Sequence, residues 1–314
     1  MQTVSRRHRL FNALQSLALL AAMATLAGYL GWVLLGPDGL AGAALLATVA
    51  AALGPRVSTP LVLRLSGAFA LHSAQAPELY RLASVLAARA GLPKTPTLWY
   101  VPSRAMNAFA TGRRDDGAIA LTDGLLRRLA PRELAGVLAH EIAHLAANDV
   151  WVMTLADTVG RITAVLSLFG QMLLLAWLPA ALLAGAEIPL APLAAMVLAP
   201  AVSVLLQLTL SRTREYGADA AAAELTGDPL GLASALQTLE RLQGGWLERL
   251  FLARPPRWLR THPQTSERVR RLLAIERARR RTPAAPHWDW STDPFFGRAE
   301  IVRAPRWHWS GLWY

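Results

Sequence analysis

The stretch Ala139-His140-Glu141-Ile142-Ala143-His144 decides how the rest of this chain is interpreted. It has the pattern His-Glu-x-x-His, and on a helix two histidines four residues apart lie on the same face. Two imidazoles in that arrangement can bind one zinc ion, and the carboxylate of Glu141 beside them can act as a general base. The motif therefore predicts a zinc-dependent peptidase. The alternative is a chance pattern on a buried helix.

The composition of the chain indicates membrane segments. Of its 314 residues, 54% are hydrophobic and 17% are charged. The net charge of +11 comes from arginine, with a single lysine at Lys94, and in a chain with membrane spans it is better explained by lipid and topology than by nucleic acid. There is no cysteine, so any zinc ligands must be histidines and carboxylates.

Four apolar segments are candidates for membrane spans. Residues 10–35 carry no charge and are followed by a turn at 36–39, although a signal peptide is the alternative. Residues 40–54 are apolar but short, so they either span or lie re-entrant. Residues 162–185 and 190–210 are uncharged and predict a second hairpin, with a buried helical pair in a soluble core as the alternative. Arginines after the first hairpin place its ends on the cytoplasmic side.

The fold class that follows is a mainly α membrane protein with about four transmembrane helices and an α+β catalytic domain with a small sheet. The strands of that sheet are predicted at 95–101 and 117–122, with a further extended segment at 106–110. Five regions are expected: an N-terminal transmembrane hairpin (1–65), the first part of the catalytic domain (66–161), a second transmembrane hairpin (162–210), the second part of the catalytic domain (211–282), and a tryptophan-rich tail (283–314).

Several helix boundaries are predicted from local signals. A helix over 77–90 ends at Gly91, and the helix with the motif begins at Pro131. That helix has no clear stop and is expected to continue past 148–149 toward the next apolar segment. A helix from Asp228-Pro229 is expected to end at 244–245, and a last one runs from Thr265 or Ser266 to about Arg281.

A third zinc ligand has to come from elsewhere, because no third histidine follows the motif at the His-x-x-Gly-x-x-His spacing. Glu187 lies at the far turn of the second hairpin and is excluded by the topology. Glu215 and Asp219 follow that hairpin and are four residues apart, so both can face one site. Glu215 is the candidate ligand, and Asp219 can accept the second ring N–H of a ligand histidine.

Taken in order, these pieces resemble the HtpX family of membrane-embedded zinc metallopeptidases, which are relatives of the CAAX prenyl proteases. The matching segments are Asn107-Ala108-Phe109-Ala110, Leu121-Thr122-Asp123-Gly124-Leu125-Leu126, Glu133-Leu134, Val137 to His144, Ser211-Arg212, Glu215, Ala218-Asp219, Thr261-His262-Pro263 and Arg268. The resemblance covers roughly residues 10–280.

The resemblance implies a role for each matching residue. His140, His144 and Glu215 would hold one Zn²⁺ in a gluzincin-type site, with Glu141 as the general base. His262 would stabilise the oxyanion, although a histidine at a helix start is the alternative. The segment Asn107, Ala108 and Phe109 would be an edge strand that pairs with a substrate backbone, whereas Phe109 alone could equally be a core residue.

The predicted function is an integral, multi-pass endopeptidase of the inner (plasma) membrane with its active site facing the cytoplasm. By resemblance its polypeptide substrates would be misfolded or unassembled membrane proteins, as in stress-response quality control. The lipid bilayer is expected as a partner and nucleic acid is not. A CAAX-type protease that trims specific C-termini and a non-catalytic membrane scaffold remain alternatives. Three roles remain possible for the tail 283–314. It could pack on the catalytic domain, lie at the membrane interface, or cover the cleft.

Overall fold

The protein is described by a computed structural model that covers residues 2–53, 63–64, 67–185, 187, 190–250 and 265–281. The predictions for His262 and for the tail 283–314 lie outside these described residues. The elements in chain order are α1 (Gln2–Leu53), β1 (Phe69–Ala70), α2 (Pro77–Arg89), β2 (Thr97–Val101), β3 (Ala108–Thr111), β4 (Ala118–Thr122), α3 (Asp123–Arg128), α4 (Pro131–Ala146), α5 (Asp149–Leu183), α6 (Leu190–Thr226), α7 (Pro229–Leu250) and α8 (Thr265–Arg281).

The chain forms two compact units. The first contains α1, the part of α5 that begins at Trp151 and the part of α6 that ends at Gly217. The second contains the four strands, α2 to α4, the remainder of α6, α7 and α8.

Helix α1 folds back on itself at Gly36, whose φ of 63° and ψ of −145° are not helical. A Cβ atom added to Gly31 would lie 2.4 Å from the carbonyl oxygen of Gly39. In a straight helix these two residues would be about 12 Å apart along the axis, so the close approach requires a hairpin. Glycine at both positions lets the two arms pack backbone against backbone.

Among the residues that the structure describes, three helices are long and apolar enough to cross a membrane: α1 over Asn12–Val49, α5, and α6. Because the first of them is the hairpin bent at Gly36, its two arms account for two of the four predicted segments. Large apolar side chains point outward from these helices, with Leu175 exposed by 70% and Leu183 by 91%. An apolar surface of this kind is what contact with lipid requires.

A proline in α6 explains why polar side chains are buried between α5 and α6. Pro200 has no amide hydrogen, so the carbonyl of Met196, four residues earlier, loses its helical hydrogen bond. The hydroxyl of Ser167 donates to this carbonyl, and the amide nitrogen of Gln171 donates to it at 3.2 Å. Side chains of α5 thus satisfy a group that could find no water within a bilayer.

We expect Ser167 and Gln171 to contribute less to stability when Pro200 is replaced. Replacing Ser167 by Ala together with Gln171 by Leu should lower stability by about 1 kcal/mol in the parent chain. In a Pro200→Ala background the amide of residue 200 can donate a hydrogen bond to the carbonyl of Met196. The same double replacement should therefore lower stability clearly less. Thermal unfolding of the parent, the double variant, Pro200→Ala and the triple variant in one detergent measures the coupling between Pro200 and the two donors. Equal losses in both backgrounds would contradict this account, and Thr209→Val, which removes a bond within α6 only, is the control.

The second unit contains a four-stranded sheet in the order β1-β2-β4-β3. Strand β2 is antiparallel to β1 and parallel to β4, and β4 is antiparallel to β3. Leu98, Ile119 and Leu121 face the main core with α2 and α4, whereas Trp99 and Ala120 face a smaller cluster on the other side. Coverage on both faces suits the apolar central strands.

The junction between β4 and α3 is fixed by local polar contacts. The hydroxyl of Thr122 accepts a hydrogen bond from the amide of Leu125 and thereby caps α3. Asp123 accepts from Arg127 at 2.7 Å and from the Tyr100 hydroxyl at 3.0 Å. The hydrogen bond from Arg127 lowers the pKa of Asp123, and burial raises the pKa of Tyr100.

Helix α4, which carries the His-Glu-x-x-His motif, is fixed at its start. Pro131 occupies the first turn, and the Glu133 carboxylate accepts from the amide of Ala130 at 2.9 Å. The same carboxylate accepts from hydroxyls of α7, at Ser234 and Thr238. These contacts hold α4 in one position against α7.

Two helix ends differ from the sequence-based expectation. Helix α4 ends at Ala146 and a new helix begins at Asp149, because Asn148 between them has a φ of 55°. Asparagine is among the few residues other than glycine that adopt this left-handed conformation readily. Helix α7 runs on through Gly244 and Gly245 to Leu250, since glycine within a helix costs only about 1 kcal/mol.

Candidate metal centre

The two motif histidines converge on one point. Their Nε2 atoms lie 3.1 Å apart, and the ring planes are nearly perpendicular at 87°. Two nitrogens bound to one tetrahedral zinc at ordinary bond lengths would be about 3.3 Å apart. The four-residue spacing on α4 thus produces the separation that a shared metal ion needs.

A carboxylate from α6 orients His140. The Oδ1 atom of Asp219 lies 3.1 Å from Nδ1 of His140, and both residues are buried. Arg268 on α8 donates to both oxygens of this carboxylate, from Nε at 2.7 Å and from Nη2 at 2.6 Å. The same Nη2 lies 3.4 Å from Nε2 of His140, so the guanidinium borders the centre itself.

His144 contacts a different carboxylate. Its Nδ1 lies 2.7 Å from Oδ2 of Asp149, the first residue of α5. Sequence analysis did not assign a role to Asp149 or to the Arg268 side chain. The only signal for Asp149 was its place after Asn148, and that signal requires knowing that the helix breaks there.

Glu215 completes the donor set. It lies one turn before Asp219 on the continuous helix α6, and one ligand atom each from His140, His144 and Glu215 falls within 4.8 Å of the others. Two imidazole nitrogens and a carboxylate oxygen are the ligands of a catalytic zinc site of the His₂Glu type. The donors present therefore fit zinc, with both Nδ1 atoms facing carboxylates and both Nε2 atoms directed at the centre.

The other predicted site residues have these positions. Glu141 is buried on α4 directly after His140. Asn107 is exposed, Ala108 and Phe109 are half-buried at the start of β3, and β3 packs beside α4. Within the described part of the chain, β3 stands at the end of the sheet and pairs with β4 alone.

The chain matches a known protein family. The model of the family described as Peptidase family M48 matches residues 73–276, and these include the whole site described above. The chain belongs to peptidase family M48. Among curated relatives, the protease HtpX homologue of Methylibium petroleiphilum is 34% identical over 85% of this chain and 98% of its own length. The HtpX homologue of Salinibacter ruber is 37% identical over 83% and 97% of the respective chains.

The chain is also similar to two further proteins. The HtpX homologue of Acaryochloris marina is 43% identical over 67% of this chain and 76% of its own. The crystal structure of S. mikatae Ste24p superimposes with a TM-score of 0.52 at 21% identity. It is matched over 85% of this chain and 66% of its own, and it supports the fold. The chain is thus an HtpX-like membrane metallopeptidase of the M48 family with a metal cofactor implied by that family.

Proposed function

We propose that this protein is a zinc-dependent endopeptidase that hydrolyses peptide bonds of misfolded or unassembled membrane proteins. The observation that carries the proposal is the convergence of His140, His144 and Glu215 within 4.8 Å. The ion would be a single Zn²⁺, and when bound it would activate a water molecule and polarise the scissile carbonyl.

Side chains of the protein carry out the proton transfers and stabilise the oxyanion. Glu141 accepts a proton from the attacking water and passes it to the leaving amine nitrogen. Glu141 is buried, and so are His140 and Glu215, which keeps bulk water away from the reacting groups. The role of hydrogen-bond donor to the oxyanion is assigned to His262 by resemblance only.

No strand of the described part of the chain pairs with the outer edge of β3, and we propose that this edge binds an extended polypeptide. Asn107 exchanges hydrogen bonds with Thr122 of β4, so in an antiparallel pair the next bonded position is Phe109. The backbone groups of the alternate residues, Ala108 and Ala110, then point away from β4. A substrate strand would pair with these two residues, which binds peptides with little demand on sequence.

This assignment predicts a selective effect of proline at position 110. Ala110→Pro removes an amide hydrogen from the open edge and leaves the β4 ladder intact, as edge strands allow. We expect KM for an unfolded polypeptide to rise several-fold, on the order of one hydrogen bond, with kcat and zinc content retained. Ala110→Ser keeps the amide and is the control. A KM equal to the parental value for Ala110→Pro would exclude pairing at this residue.

The orientation follows from charge. The arginines at the N-terminus and after the first hairpin favour the cytoplasmic side for both ends, and the second hairpin returns the chain to the same side. We therefore propose that the site faces the cytoplasm of a cell whose plasma membrane holds the protein.

The test is proteolysis by the purified full-length protein in detergent. A loosely folded membrane protein should be cleaved, a chelator should stop cleavage, and zinc should restore it. A native, tightly folded membrane protein should be cleaved far more slowly. A protein that binds zinc and cleaves neither substrate would overturn the proposal in favour of a scaffold.

A further inference from the structure

We propose that Asp149 is a positioning residue that fixes the ring of His144 for metal binding, as the counterpart of Asp219 at His140. This inference rests on the proposed function, because it concerns how a metal ligand is held. It adds a residue that lies outside the His-Glu-x-x-His motif and outside the segment around Glu215.

The contact between Asp149 and His144 depends on the break between α4 and α5. In an uninterrupted helix, residue 149 would be rotated about 140° from residue 144 and would face elsewhere. The left-handed conformation of Asn148 ends α4 and redirects the chain. As a result Asp149, which is 4% exposed, lies beside His144, and its Oδ2 atom is 2.7 Å from Nδ1 of that ring.

The chemical consequence is a fixed tautomer. A carboxylate that accepts from Nδ1–H keeps the proton on that nitrogen and leaves the Nε2 lone pair for a metal ion. Each histidine of the motif has a carboxylate near its Nδ1 atom, with Asp149 2.7 Å from His144 and Asp219 3.1 Å from His140. The Nε2 atoms of the two rings are consequently the ones that face each other at 3.1 Å.

A purely structural role for Asp149 is the competing explanation, since a negative charge in the first turn stabilises a helix. The two explanations differ in what they predict for the metal-free protein. A helix-capping role lowers the melting temperature of the metal-free protein and leaves zinc affinity intact. A positioning role lowers zinc affinity and leaves the metal-free melting temperature nearly unchanged.

The experiment compares Asp149→Asn and Asp149→Ala with the parent, as full-length proteins in one detergent. Zinc affinity is measured by competition with a chromophoric chelator, and melting is followed after zinc removal. We expect a 10–100-fold loss of affinity for Asp149→Ala and a smaller loss for Asp149→Asn, whose side-chain carbonyl can still accept from Nδ1. The visible spectrum of the cobalt-substituted protein should change in the same order, because it reports the ligand geometry.

Asp157→Asn is the matched control, since Asp157 lies two turns further along α5, is exposed and pairs with Arg161. It should match the parent in every measurement. Zinc affinity of Asp149→Ala within threefold of the parent, or a loss explained by a lower metal-free melting temperature, would overturn the inference. Failure of the proposed function itself looks different, because then the parent chain would bind no zinc or would bind it without cleaving polypeptide.

Discussion

Replacing Glu141 by Gln is expected to reduce polypeptide cleavage by about 10²–10⁴-fold while zinc binding stays at the parental level. The amide has nearly the shape of the carboxylate, so the buried position on α4 remains filled. It cannot accept the proton of the attacking water at neutral pH, which removes the general base. Cleavage assays with metal analysis on the same preparation measure both quantities.

The matched control for this variant is Glu224→Gln. Glu224 is exposed on α6, so loss of its charge should leave cleavage within twofold of the parent. Cleavage by Glu141→Gln at the parental rate would show that another group removes the proton. Loss of zinc together with activity would instead mean that Glu141 supports the metal centre, and the assignment of the base would have to be abandoned.

Elements with strong local signals were predicted well from the sequence. Apolar periodicity predicted α2, which spans Pro77–Arg89, and a cap at Thr265 or Ser266 predicted the start of α8. The turn at Gly36 was predicted because glycine and proline are adjacent there. In each case the information lies within a few neighbouring residues, which is why one sequence was enough.

Contacts between distant segments could not be derived in this way. Strand β1 has two residues and exists because its partner β2 is present. The parallel pairing of β2 with β4 depends on the whole second unit, and a short strand carries no signal for the direction of its neighbour. Periodicity therefore predicted strands but not the order of the sheet.

The metal centre illustrates the same division. The spacing of His140 and His144 and that of Glu215 and Asp219 follow from helix geometry alone, and the structure brings the three ligand candidates within 4.8 Å. The contact of Asp149 with His144 was not predicted, because the helix was expected to continue through residue 149. Asp219 and Arg268 are 49 residues apart in the chain, so nothing local connects them.

Replacing Arg268 by Ala is expected to have the largest effect on stability of any single change near the centre. Arg268 is 8% exposed and Asp219 is 3% exposed, and two charge-assisted hydrogen bonds join them. Removal of the guanidinium would leave a buried carboxylate without its cationic partner, and breaking such a pair costs about 3–5 kcal/mol. For a domain of this size the melting temperature should fall by roughly 10 °C.

The effect should extend from stability to the metal centre, because Asp219 also lies 3.1 Å from the ring of His140. A carboxylate that has lost Arg268 is free to rotate or to take up a proton, and either change weakens its hold on Nδ1 of that histidine. Zinc affinity should therefore fall together with the melting temperature. In Asp149→Ala, by contrast, zinc affinity should fall while the melting temperature of the metal-free protein stays nearly unchanged.

Two comparisons separate this prediction from a general effect of removing arginine from α8. Arg271→Ala removes an exposed side chain that pairs with Glu267 on the same helix, and such pairs contribute at most about 0.5 kcal/mol. Arg268→Lys keeps the charge but not the paired hydrogen bonds, so its melting temperature should lie between those of the parent and Arg268→Ala. Equal melting temperatures for Arg268→Ala and Arg271→Ala would mean that water or another residue compensates Asp219, and the buried pair would not be what holds α8 to the centre.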